Sequence, residues 1–196
     1  MESSIYLIRG VNQKVVPALC LKDSNDYFIF AQLRQANQED IFNTQDTKTM
    51  EKFNRGKPDR EQIKIRKKYE VDTIYIGQPE GLNSKSVVMV KKLHKVSKSQ
   101  LIKKIAEVDY DFVLKCKELI KQVKEIARLQ KELQQLKRKL QLATINNEKY
   151  SHYEKRIGEV LKAIGYKSGK KRKNKPYENL REVPNKGYIK IYYGGR

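Results

Sequence analysis

From residue 1 to about residue 96, the apolar positions come in short runs rich in β-branched and aromatic side chains, bounded by turn residues. Residues 5–8, 18–21, 27–33, 73–76 and 86–96 each read as a strand, and clusters such as Asp23-Ser24-Asn25-Asp26 read as turns. With no helical pattern between these runs, the region predicts a small antiparallel β-barrel. A polar stretch, residues 35–69, interrupts the series. It holds Phe42, Phe53 and the breaker Gly56-Lys57-Pro58, and it is too long for a hairpin turn.

After residue 96 the period changes. Ser97 reads as an N-cap ahead of Leu101, Ile102, Ile105 and Val108, so the spacing predicts a short helix there. A longer helix is predicted after Asp109-Tyr110-Asp111. Leu119, Ile126, Leu133 and Leu140 recur every seven residues, with Leu129, Leu136 and Ala143 as the companion stripe. The pattern weakens over residues 143–147. It restarts with Tyr150, Tyr153, Ile157, Val160, Leu161 and Ile164, and stops at Gly165. This predicts a helical hairpin or a protruding coiled coil, folding on itself or joining two subunits. The organisation read from the chain is therefore α+β. Residues 1–112 form a barrel with an insertion at about 35–70, residues 113–165 a helical extension, and residues 166–196 a basic tail.

Charge sharpens the picture. The chain of 196 residues has a formal net charge of +20, and its apolar share is only 38%. Self-repulsion of this size fits a polyanionic partner, because nucleic-acid phosphates release counterions when lysines meet them. Seven lysines and no acid lie between Gly81 and Ala106. Lys91, Lys95 and Lys98 there, with Lys170, Lys171, Arg172 and Lys173 in the tail, are the candidate nucleic-acid contacts. Tyr69, Tyr75, Phe42 and Phe53 are candidates to stack on unpaired bases. Two cysteines (Cys20, Cys116) and two histidines (His94, His152) match no metal motif, so neither a metal nor a cofactor is expected. His94 is a weaker candidate for acid–base work. The start MESSIYLIRG is not a signal peptide and no run of about 18 apolar residues occurs, which predicts a cytoplasmic chain with no membrane partner.

The segment around residues 81–109 resembles the C-terminal half of MazF/PemK-family toxins. Gly81-Leu82, Ser86-Val87-Val88, Leu93, Val96, Leu101, Lys104-Ile105 and Asp109 fill the family's frame of apolar, serine and lysine positions. More loosely, Val16-Pro17-Ala18-Leu19-Cys20-Leu21 is similar to the family's arginine–proline strand, and residues 27–33 and 73–76 are similar to later strands. The resemblance implies an SH3-like barrel of the MazF/PemK/CcdB type, usually a homodimer. It also implies metal-independent cleavage of single-stranded RNA, restrained by an antitoxin. In that family an arginine before the strand proline and a Thr or Ser ending the next strand do the chemistry. Here Val16 stands at the first place and Arg34 at the second. The candidate catalytic residues are therefore Arg34, Lys14 two residues before Val16, and Thr73 as a hydroxyl.

Overall fold

The computed structural model describes residues 1–10 and 14–166. The tail residues Lys170, Lys171, Arg172 and Lys173, and the alternating stretch KGYIKIYYGGR, lie outside the described residues. Strands β1 (Ser4–Arg9), β2 (Val15–Asp23), β3 (Phe28–Gln35), β4 (Thr73–Gly77) and β5 (Ser86–Val96) form where the short apolar runs predict them. With β6 (Leu101–Glu107) they make one six-stranded antiparallel sheet in the order β4-β5-β3-β2-β1-β6.

Strand β6 corrects the sequence reading, which put a helix at that place. Ser97 does head a helical turn, but only the single 3-10 turn Lys98–Gln100. The chain then runs antiparallel to β1, pairing Ile8 with Leu101 and Ile5 with Ala106. Two register shifts interrupt this ladder, after Ile5 and after Leu7. Each shift moves side chains out of alternation. The spacing of Leu101, Ile102 and Ile105 therefore imitates a helical period in what is a bulged strand.

Alternation in the central strands feeds two apolar layers. Ala18 and Cys20 of β2 and Phe28 and Phe30 of β3 pack with Ile8 and Val96 on one side. Leu19, Leu21, Ala31 and Leu33 pack with Ile5, Val88, Val113 and Cys116 on the other, so a helix covers that face. Both cysteines are free and buried, and burial pushes their thiols up to about 11 (Cys20) and about 12 (Cys116). The sheet's two edge strands are drawn together by the β4–β5 loop. Gly81 adopts a φ of +95°, and a Cβ there would lie 1.8 Å from the Ile105 carbonyl oxygen of β6. Only glycine fits so close an approach at such a φ.

The insertion folds into α1 (Gln38–Phe42), α2 (Thr47–Asn54) and two 3-10 turns. The heptad run forms α3 (Tyr110–Ile145), and α4 (Ser151–Ile164) returns along it. Leu129, Leu133 and Leu140 of α3 pack on Ile157, Val160 and Ile164 of α4, so the hairpin closes on itself within one chain. Gly165 ends α4 with a φ of +97°, and the Tyr166 N–H bonds back to the Leu161 carbonyl. The Tyr166 ring stacks on Tyr69 at 4.7 Å, which ties the hairpin to the insertion. Among the described residues, no helix is long and apolar enough to cross a membrane.

Candidate functional site

The insertion places a carboxylate under the end of β3. Asn37 caps α1: its side chain accepts from the Asp40 N–H at 2.8 Å, and the Asn37 N–H donates to Asp40 Oδ2 at 3.0 Å. This capping box turns the Asp40 side chain back toward the sheet, where it is 1% exposed. Arg34 grips it with two bonds, Nη1 to Oδ2 at 2.6 Å and Nη2 to Oδ1 at 3.0 Å. A bidentate pair of this kind fixes both partners.

A second arginine completes the cluster. Arg66 Nη2 donates to Asp40 Oδ1 at 2.8 Å, its Nε to Glu39 at 2.7 Å, and its Nη1 to the Thr73 hydroxyl at 2.9 Å. The Arg66 backbone N–H is held by Asn43 at 2.8 Å, which sets the guanidinium in place. The Thr73 hydroxyl also reaches Asp40 Oδ1, at 3.5 Å. Burial alone would raise the Asp40 carboxyl, but the bonds from Arg34, the Asn37 N–H and Arg66 outweigh it and hold it at about 2. Burial works against the Arg66 charge, and the bonds from Glu39 and Asp40 more than offset it, so its pKa is raised.

Two of the three candidate catalytic residues, Arg34 and Thr73, thus meet at one carboxylate. The third does not join them. Lys14 is exposed just before β2, and its backbone carbonyl accepts from the Gly10 N–H at 2.9 Å. The register that pairs Ala18 with Gln32 brings the start of β2 beside the end of β3, so Lys14 and Arg34 share one end of the sheet without contact. Val16 is half-buried against the layer of Ile8, Ala18 and Phe30. His94 bonds Gln32 through Nε2 at 3.2 Å, and its Nδ1 is buried with no partner among the described residues.

Asp40 and Arg66, which organise the site, were not candidates from the sequence. The one local signal for them was Asn37 standing three residues before Asp40, a helix-start spacing.

The proposed nucleic-acid contacts of β5 are scattered. Lys91 pairs with Asp72 at 3.1 Å, the Lys95 ammonium sits 4.2 Å from the centre of the Tyr27 ring, and Lys98 is exposed in the 3-10 turn. Strict alternation would put Lys91 and Lys92 on opposite faces of β5. The ladder with β3 slips between Ala31 and Leu33, and Lys91, Lys92 and Leu93 are all exposed. Of the stacking candidates, Phe42 is buried against Phe53 at 5.2 Å, and the Lys57 ammonium lies 3.2 Å from the Phe53 ring centre. Tyr69 is stacked on Tyr166, and Tyr75 is half-buried in β4.

The electrostatics of the Asp40 cluster decide what it can do. Two guanidiniums face two carboxylates, Asp40 and Glu39, so the cluster is close to neutral as it stands. Such a site holds structure well, but it has no surplus cation to meet a charged phosphorane. No protein-family model matches this sequence, and no curated protein matches it.

Proposed function

We propose that the chain is a nucleic-acid-binding protein built on a MazF/PemK-like, SH3-like sheet domain, in which the positions that would cleave RNA hold structure instead. The observation that carries this reading is charge balance. Arg34 and Arg66 are committed to Asp40 and Glu39, whereas the chain as a whole keeps +20. The Arg34 guanidinium serves as a clasp between β3 and the insertion. Val16, at the family's arginine position, supplies packing alone.

One observation favours the second reading, a metal-independent endoribonuclease with a relocated site. Arg34 and Thr73 come from distant strands and converge on one carboxylate. A homodimer and an antitoxin partner belong with that reading. Incubation of the purified protein with mixed single-stranded RNA, without metal, separates the two. The binding module retards the RNA in a salt-dependent way and leaves it intact. Fragments ending in 2′,3′-cyclic phosphate, lost on R34A and on T73V in protein that still folds, would overturn the binding-only reading.

A further inference from the structure

The side of α3 turned away from α4 arranges its charges differently. Lys117, Lys124, Lys131 and Arg138 recur every seven residues, with Lys121 and Arg128 between them. At a rise of about 1.5 Å per residue, the row runs about 32 Å along one side of the helix. The remaining positions of that side, Val123, Gln135 and Lys139 among them, are apolar, amide or basic, so no carboxylate of α3 interrupts it. The glutamates nearest the row are engaged within the protein. Two cations of the row are already paired, Lys117 with Glu2 at 2.7 Å and Arg128 with Glu125 at 2.6 Å, and Glu132 takes Arg156 of α4 at 2.7 Å. Lys121, Lys124, Lys131 and Arg138 are exposed, and none of them makes an ion pair among the described residues.

We propose that this face of α3 docks the phosphate backbone of a nucleic-acid duplex. A row of cations on a rigid helix, four of them without an ion pair among the described residues, matches a polyanion whose charge is spread evenly along a rod. At about 3.4 Å per base pair, the row is as long as roughly nine base pairs. From Lys121 to Leu142 the face has no aromatic residue on which unpaired bases would stack, and exposed Tyr110 lies at its far end beside Lys117, so backbone contact is the chemistry the row offers. A bilayer is a poorer match. Helices that lie in a membrane surface bury their apolar side in lipid, and here that side is packed on Ile157, Val160 and Ile164. The surface is separate from the Asp40 cluster and does not depend on how that cluster is read.

The test uses the full chain and a DNA duplex of about 20 base pairs, roughly twice what the row covers. Affinity is measured across a salt series for the wild type and for a variant carrying K121Q, K124Q, K131Q and R138Q. Each lost phosphate contact flattens the log–log salt slope by about 0.9, so the variant's slope falls by about 3 to 4. A variant with K48Q and K52Q, two exposed lysines of α2, keeps the wild-type slope. Circular dichroism verifies that the hairpin is intact, since none of the four changed side chains is buried or paired among the described residues. An unchanged slope in the fourfold variant would falsify the proposal, and so would a wild type that does not bind the duplex. Loss of binding to anionic vesicles, with duplex binding untouched, would assign the face to a membrane instead.

Discussion

The Asp40 cluster and the outer face of α3 are both rich in arginine or lysine, and they differ in everything that decides what those charges do. In the cluster Asp40 is drawn out of water and the charges around it partly so, and each finds an opposite within about 3 Å. On α3 the cations are exposed, and four of them have no opposite among the described residues. Desolvated charges are fixed by their partners and leave little field outside, whereas exposed unpaired ones leave a field that a second molecule can answer. Counting basic residues cannot separate the two cases. Geometry can.

The strongest way to break this comparison is to remove the anion that balances the buried side. Asp40→Ala leaves Arg34 and Arg66 facing each other with only Glu39 to compensate, at a cost of about 3 to 5 kcal/mol. Urea denaturation read by circular dichroism should show it as a lower midpoint, and a midpoint within experimental error of the wild type would show that the cluster is not a clasp.

Acid provides a milder version of the same test. The Asp40 carboxyl lies at about 2, below its ordinary value of 3.8, so its contribution is complete above about pH 4 and is lost as the pH falls toward 2. Asp40 is almost fully buried, and the shift corresponds to about 2 kcal/mol. Stability measured from pH 5 down to pH 2 should fall more steeply in the wild type than in Asp40→Asn, which has already lost the charge. Parallel curves would mean that other carboxylates govern the acid limb.

The smallest expected effect is on the exposed side. The fourfold glutamine variant of α3 should unfold within about 0.5 kcal/mol of the wild type, because it removes no packed or paired group. A large destabilisation there would mean that the row belongs to the fold and not to a partner. A still finer probe is Gly158→Ala on the open surface of α4, where a Cβ meets nothing within 4 Å. It should stabilise the hairpin by about 0.5 to 1 kcal/mol.

How much of this was legible in the chain follows from the kind of signal each part carries. Strands β1 to β5 were readable because their runs are rich in β-branched and aromatic residues and their ends carry turn residues. The α3–α4 pair was readable because a seven-residue repeat has few other meanings. Strand β6 was not readable, since its two bulges break the alternation that marks a strand. At the candidate site, Arg34 and Thr73 could be singled out by position, but Asp40 and Arg66 sit in a polar segment with no period to expose them. Their pairing spans 26 residues, and nothing local predicts it.

The sequence by itself determined strands β1 to β5, two helical segments and the excess of positive charge, because each is written in local period or in composition. Tertiary structure alone decided where that charge is cancelled and where it stays open. It closed the heptad seam within one chain, set Gly81 against the Ile105 carbonyl, and turned Asp40 inward between two arginines. The physical reason is that compensation depends on distance and on burial, and residues far apart in the chain acquire both only when the backbone brings them together.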